Sequence, residues 1–240
     1  MTAATWTDLA GLSACLVGPP GAAIHAVLLH GFGASAEDLA PLADEIARSA
    51  PAGAPSVCYV FPEAPLELSG VYGVARAWWM LDLARLEDEL RRGAPSDRRA
   101  EVPDGLPAAR AQVLRLLDQL AARFGGPATR LVLGGFSQGA MLALDVALHR
   151  ASPPAGLMLM SGTLLNEAEW QPRLPSLRGV PVLQSHGRAD ALLPYSVAEV
   201  LRDRLRAAGA AVEWHPFVGG HEIPQIVVAA AGAFLGAVRG

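Results

Sequence analysis

The chain contains no lysine, and all 19 of its basic residues are arginine. This absence excludes chemistry that needs a lysine amine, such as a Schiff base or the lysine of a phosphate-binding P-loop. Cysteine is scarce too, with only Cys15 and Cys58 present. Two cysteines so far apart in sequence cannot build a metal cage and do not indicate a disulfide framework. We therefore expect two buried thiols and no metal site.

Charge is also low, with 18% charged residues and a net charge of −4, so the chain lacks the basic surface of a nucleic-acid-binding protein. Its 52% of apolar residues exclude a disordered chain, and 240 residues suffice for one domain, 1–240. The apolar run 226–238 is too short to span a bilayer and predicts a buried helix. We expect a cytoplasmic protein without a stable membrane anchor.

Short apolar runs alternate with segments of helical periodicity along the chain. This alternation predicts an α/β fold with a mostly parallel sheet and helices on both faces. Ligand sites in such sheets lie beyond the carboxyl ends of the strands. The predicted strands are 13–17 at a sheet edge, 26–30, 57–61, 130–136, 156–160, 180–185 and 211–217. The predicted helices are 36–48 with Ser35 as N-cap, 83–92, 106–124, 138–150, 197–208 and 223–238.

Residues 62–103 form the one long stretch with a weak pattern. A loop of this length in a compact domain is usually functional or disordered. Its aromatic pair, Trp78 and Trp79, favours a pocket wall or a lid over disorder. We therefore predict that residues 62–103 form a lid or pocket-forming insertion within the single domain.

The glycine-rich turn after the predicted strand 26–30 has two interpretations. Gly31, Gly33 and Ala36 fit the weak form of a dinucleotide fingerprint, whose amides would bind a pyrophosphate. That interpretation needs an acidic residue about 20 positions further on, at the end of the next strand. Glu63 is the nearest match and lies well past that position. The alternative is that the amides stabilise an oxyanion formed during acyl transfer.

The segment "LVLGGFSQGAMLAL" contains G-x-S-x-G centred on Ser137, between a predicted strand and a predicted helix. This context is that of a nucleophile elbow, which raises the serine hydroxyl above the sheet edge. Such a serine needs a base, and His221 follows the last predicted strand at the same edge. Asp190 also follows a strand, and the chain order Ser137, Asp190, His221 matches that of α/β-hydrolases.

The other candidates for base and acid are less suitable. His30 and His186 each precede a glycine at a strand end and are expected to hold loops by hydrogen bonds, and His215 lies within a predicted strand. Asp145 and Asp203 fall inside predicted helices, where a solvated or ion-paired role is expected. Asp190 would fix the tautomer of His221 without taking the proton itself.

Six segments in order, "LLHGFGAS", "FPEAP", "AWWMLD", "GGFSQGAM", "SHGRADALLPY" and "VGGHEIP", resemble the phospholipase/carboxylesterase family of α/β-hydrolases, which includes the acyl-protein thioesterases. The "HEIP" ending and the Trp-Trp pair are most similar to the family's bacterial esterases. The resemblance implies an α/β-hydrolase fold and a triad of Ser137, Asp190 and His221. It also implies an oxyanion hole made by the backbone amides of Phe32 and Gln138.

The expected activity is hydrolysis of carboxylic esters, or of thioesters, of small to medium acyl groups through an acyl-enzyme on Ser137. No cofactor is expected, and the expected partner is a small-molecule substrate. Trp78, Trp79, Leu192 and Leu193 are the candidates for an acyl-binding wall. Acyl-protein thioesterase or lysophospholipase activity is the alternative within the family, and a non-catalytic binding protein is the alternative of another class. Both a monomer and a homodimer are compatible with the sequence.

Overall fold

A computed structural model describes residues 4–68, 75–93, 95–126 and 128–238 of the chain. In this part of the chain an eight-stranded sheet has the order β1-β2-β4-β3-β7-β8-β9-β10, and β5 and β6 form a separate two-stranded antiparallel sheet. The strands are β1 Ala4–Leu9, β2 Leu12–Val17, β3 Ile24–Leu29, β4 Val57–Pro62, β5 Leu66–Leu68, β6 Ala75–Ala77, β7 Arg130–Phe136, β8 Gly156–Met160, β9 Pro181–Gly187 and β10 Ala211–Phe217.

Eight α-helices in the described residues connect and cover the strands. The helices are α1 Ala36–Leu39, α2 Pro41–Ser49, α3 Leu83–Arg92, α4 Leu106–Phe124, α5 Gln138–His149, α6 Glu167–Trp170, α7 Tyr195–Ala207 and α8 Gln225–Ala237, with a 3₁₀ turn at Leu174–Leu177. None of these helices combines the length and hydrophobicity that crossing a bilayer requires.

The sheet is parallel from β4 through β3, β7, β8 and β9 to β10, and only β1 and β2 are antiparallel to their neighbours. Strands β3 and β8 are buried along their whole length, as the continuous apolar runs predict. Two large apolar cores lie on the two faces of this sheet, one containing α4 and α5 and the other α2 and α8. The predicted mostly parallel α/β architecture is therefore confirmed.

Two predicted elements differ in the structure. The strand at 13–17 is not at the edge, because β2 pairs with β1 on one side and with β4 on the other. The helix after Ser35 does not continue to Arg48 as one piece. It divides into α1 and α2 at Pro41, which is well suited to begin a new helix since it has no amide hydrogen to donate.

Part of the predicted insertion 62–103 is described, and part is not. Strands β5 and β6 and helix α3 lie within it, and α3 has the predicted bounds. Residues 69–74 and 94 lie outside the described residues, so the prediction of a lid stays a prediction. The described residues Leu81, Leu86 and Pro103 line an apolar cavity at the carboxyl edge of the sheet, which is consistent with a pocket wall.

Candidate active site

Ser137 stands on a sharp turn between β7 and α5. Its backbone has a φ of 55°, in the left-handed region that non-glycine residues rarely adopt. The backbone on both sides of Ser137 packs so closely against β3 that only glycine fits there. A Cβ on Gly139 would lie 2.0 Å from the Leu29 carbonyl oxygen, and a Cβ on Gly135 would lie 2.4 Å from the same oxygen. Strain of this kind at a strand-to-helix turn is what a nucleophile elbow requires.

Asp190 and His221 come together in the loops that follow β9 and β10. His221 Nδ1 lies 2.7 Å from Asp190 Oδ2. The two loops are joined directly, because the amides of Arg188 and Ala189 donate hydrogen bonds of 2.9 Å to the carbonyls of Phe217 and Gly219. Parallel neighbouring strands thus place the predicted acid and the predicted base beside each other.

The Asp190 carboxylate is fully buried and well supplied with donors. Its Oδ1 accepts hydrogen bonds of 2.9 Å from the amides of Leu192 and Leu193, and its Oδ2 faces His221. Burial acts to raise the pKa of Asp190, but the hydrogen bonds from His221 and from these two amides outweigh it, so the pKa lies below its usual range. Asp190 is therefore a carboxylate at neutral pH.

His221 lies at the cavity that Ser137 also lines. Its ring packs against Phe136, with a centroid distance of 4.8 Å, and its side chain is 14% exposed. Within the described residues the ring bonds to Asp190 and not to Ser137. Hydrogen bonds between catalytic groups are often long before substrate binds, so this geometry is compatible with a base that engages the serine later.

The amides of Phe32 and Gln138 lie on the two segments that meet at this site. Gln138 is the first residue of α5, whose N-terminal end favours negative charge. Phe32 follows Gly31, where a Cβ would lie 3.3 Å from Ser137 Cβ, so the turn after β3 touches the elbow. Both residues line the cavity beside Ser137. The role of these two amides as an oxyanion hole stays a prediction.

The cavity has a volume of about 200 Å³ and a mainly apolar lining. Of the four residues predicted to form an acyl wall, it contacts Trp79, Leu192 and Leu193. The lining that the sequence did not single out includes Leu86, Met141, Thr163 and Leu165. Thr163 and Leu165 follow β8, so the rule that sites lie beyond strand ends could have found them.

Trp78 is a correction to the predicted wall. It is 1% exposed, and it does not line the cavity. Its indole nitrogen donates a hydrogen bond of 2.9 Å to the carbonyl of His30, which turns the ring away from the cavity. Trp79, the next residue, is the one of the two tryptophans that lines the cavity.

A model of the phospholipase/carboxylesterase family matches residues 19–239. The chain belongs to this family. Acyl-protein thioesterase 1 of Neurospora crassa is 28% identical over 81% of this chain and 78% of the relative. The enzyme of the same name from Eremothecium gossypii is 32% identical over 73% of this chain and 69% of the relative. The crystal structure of esterase PE8 superposes with a TM-score of 0.76 at 29% identity, covering 95% of this chain and 99% of that one.

Membership in the phospholipase/carboxylesterase family confirms the resemblance, the α/β-hydrolase fold and the expected class of enzyme, a hydrolase that acts on esters. It also bears on the dinucleotide interpretation of the turn after β3. The family cleaves esters, so the dinucleotide interpretation of Gly31, Gly33 and Ala36 is not needed.

A second polar cluster lies outside this site, where Asp145, His149 and Glu169 are close enough to hold a metal ion. The guanidinium of Arg110 already occupies that position. Its Nε lies 2.6 Å from Asp145 Oδ2 and its Nη2 lies 3.2 Å from Glu169 Oε2. The other oxygen, Asp145 Oδ1, accepts from Trp170 Nε1 at 2.7 Å and from Arg110 Nη2 at 3.2 Å. We interpret the cluster as an ion-pair network that joins α4, α5 and α6.

Proposed function

We propose that the chain hydrolyses carboxylic esters of small to medium acyl groups through an acyl-enzyme on Ser137. His221 acts as the base, and Asp190 orients it. The observation that carries the proposal is the 2.7 Å contact between His221 Nδ1 and Asp190 Oδ2 at the cavity that Ser137 lines. Because a carboxylate holds Nδ1–H, the free Nε2 is the basic nitrogen, and it can accept the proton of Ser137.

The reaction proceeds in two halves. In the first, Ser137 Oγ attacks the acyl carbonyl while His221 Nε2 takes its proton, and then His221 returns that proton to the leaving alcohol. In the second, water deprotonated by His221 attacks the acyl-enzyme, and His221 then gives that proton to Ser137 Oγ as the acid leaves, which regenerates the free serine. The amides of Phe32 and Gln138 stabilise the oxyanion in both halves. One such donor typically contributes about 2.7–4 kcal/mol of barrier reduction.

The lining of the cavity favours an uncharged, apolar acyl group as the part of the substrate that binds there. Its wall is formed by Trp79, Leu86, Met141, Leu165 and Leu192. Such a lining binds apolar chains by removing them from water and offers nothing to a charged acyl group. The charged residues beside the cavity, Arg98 and Glu101, are engaged in ion pairs with Glu89 and Arg85.

Acyl-protein thioesterase activity is the second candidate, because relatives from two fungi bear that name. The two candidates share the same attack on an acyl carbonyl and differ in the leaving group. Initial rates on butyrate esters and on butyrate thioesters, at equal acyl length, separate them. A kcat/KM for the thioester more than tenfold above that for the ester would favour the second candidate.

The proposal is tested by Ser137→Ala, with Ser161→Ala as the matched control. Ser161 also follows a strand of the sheet and also has a positive φ, of 50°, so both variants put alanine at a position of positive φ directly after a strand. We expect Ser137→Ala to lower kcat on p-nitrophenyl butyrate by about 10⁴-fold or more, and Ser161→Ala to keep most of the activity. A fluorophosphonate should label Ser137 in the wild type.

The same experiment can refute the mechanism. Turnover by folded Ser137→Ala at the wild-type rate would exclude Ser137 as the nucleophile. A wild-type protein that neither turns over esters nor reacts with the fluorophosphonate would favour the non-catalytic binding protein.

A further inference from the structure

A chain of buried hydrogen bonds links the two segments that carry the amides of Phe32 and Gln138. We propose that the side chains of Trp78 and Gln138 are positioning residues that set the spacing of these two amides. The inference rests on the proposed function, in which both amides bind the oxyanion. Neither side chain is proposed to touch the substrate: both act through the backbone.

The link runs through three hydrogen bonds of equal length. Trp78 Nε1 donates to the His30 carbonyl at 2.9 Å. The backbone amide of Trp78 donates to Gln138 Oε1 at 2.9 Å, and Gln138 Nε2 donates to the Trp79 carbonyl at 2.9 Å. His30 lies two residues before Phe32. Trp78 is therefore bonded on one side to the turn that carries the first amide and on the other to the residue that carries the second.

Burial makes this link stiff. Trp78 and Gln138 are each 1% exposed, and His30 is fully buried. No solvent is at hand to replace a lost partner, so a displaced donor or acceptor would stay unsatisfied, which is costly in a buried site. The link thus has a single favourable arrangement.

Packing removes the remaining freedom of the turn after β3. A Cβ on Gly139 would lie 2.6 Å from the His30 carbonyl oxygen, so this carbonyl presses on the first turn of α5. The His30 ring is held as well, because its Nε2 accepts from the Ala64 amide at 3.1 Å while its Nδ1 lies 2.8 Å from the Gly31 carbonyl. The Trp78 indole donates its hydrogen bond to the same carbonyl.

This arrangement predicts an effect on kcat more than on KM. An oxyanion hole binds the charge that develops in the transition state, so its misalignment leaves substrate binding nearly unchanged. Complete loss of one donor costs about 10²–10³-fold in kcat, and a shift of about 1 Å can cost about 10²-fold. Removing the indole donor should loosen the Phe32 amide without deleting it. We therefore expect kcat to fall by about 10- to 100-fold.

The test compares Trp78→Phe with Trp170→Phe. Trp170 is a matched control: it is also fully buried, it also does not line the cavity, and its Nε1 also donates one buried hydrogen bond, but that bond, of 2.7 Å, goes to Asp145 and not to the turn after β3. Both variants lose one indole donor and a similar ring volume. We expect similar losses of thermal stability, with the fall in kcat confined to Trp78→Phe and KM within about threefold of wild type in both.

Inhibition by an alkyl boronic acid gives a readout that a merely structural role would not move. The boronate forms a tetrahedral adduct with the serine and places an oxygen in the oxyanion hole. Its Ki should therefore rise in Trp78→Phe by about the factor by which kcat/KM falls, and should not change in Trp170→Phe. Gln138→Met, which keeps the backbone amide and removes the carboxamide, serves as a second variant should Trp78→Phe fail to fold, and the same effects are expected from it.

Equal kcat values in Trp78→Phe and Trp170→Phe, or a fall in kcat with an unchanged boronate Ki, would overturn the inference. These outcomes differ from a failure of the proposed function. If Ser137→Ala is inactive while Trp78→Phe matches its control, the positioning role alone is wrong. If Ser137→Ala keeps its turnover, the proposed function itself has failed.

Discussion

Replacing Asp190 by asparagine should invert the proton arrangement of His221. In the wild type, Oδ1 of Asp190 accepts from the amides of Leu192 and Leu193, and Oδ2 faces His221 Nδ1. The asparagine must keep its carbonyl oxygen toward the two amides, because an NH₂ group there would meet two donors. Its NH₂ group then faces His221 Nδ1 and donates to it. The imidazole must carry its proton on Nε2, where it can no longer accept one from Ser137.

The wrong tautomer in such a triad lowers kcat by about 10⁴-fold, which corresponds to about 5.5 kcal/mol of transition-state stabilisation. We expect this loss in kcat for p-nitrophenyl butyrate at pH 7–8, with a small change in KM. Asp203→Asn is the control, since Asp203 is exposed on α7, bonds to Arg202 and should leave kcat within twofold. A loss below tenfold in folded Asp190→Asn would refute the assignment of Asp190 as the residue that orients His221.

Two further predictions concern packing and pH. Gly139→Ala should destabilise the fold by about 2–3 kcal/mol and lower kcat, because the new Cβ would lie 2.0 Å from the Leu29 carbonyl oxygen. Gly126→Ala is the control, since its Cβ would meet only the Thr129 hydroxyl, at 3.7 Å. Equal melting temperatures for the two variants would contradict this prediction. Burial would raise the pKa of Glu89, but hydrogen bonds from Ser96, Arg98 and Arg85 outweigh it and lower the pKa to about 2. The stability that ionised Glu89 contributes is then fully present above the ordinary glutamate pKa of about 4.3 and is lost as the pH falls toward 2. The melting temperatures of the wild type and Glu89→Gln should therefore converge as the pH falls over that range. A difference in melting temperature that stays constant would contradict this role of Glu89.

The part of the fold that could be predicted is the part made by local patterns. Buried runs such as β8 and charged amphipathic segments such as α3 have the predicted bounds. Strand β1 was missed because four of its six residues are exposed and it has no apolar run to detect. The turn between β1 and β2 is made by Ala10 and Gly11, both with positive φ. Alanine is not among the residues that typically occupy such turn positions, so the sequence does not indicate a hairpin there.

The candidate site divides in a similar way. The contact between Asp190 and His221 follows from rules that need only the chain order and the strand ends, and the structure has it at 2.7 Å. The position of Trp78 does not follow from such rules. Which of two adjacent tryptophans faces a cavity depends on a hydrogen bond to His30, far away in sequence. Side-chain direction in an irregular segment is set by such distant partners and not by periodicity.

Asp190 also shows why a histidine beside a carboxylate is not by itself a base. Its Oδ2 lies 3.3 Å from His186 Nε2 as well as 2.7 Å from His221 Nδ1. His186 is fully buried, burial lowers its pKa, and its Nε2 also lies 3.0 Å from the Leu193 carbonyl. Its ring is thus held neutral between acceptors and away from the cavity. His221 is partly exposed at the cavity, so of the two imidazoles that share this carboxylate it is the one that can exchange a proton with a substrate-bound serine.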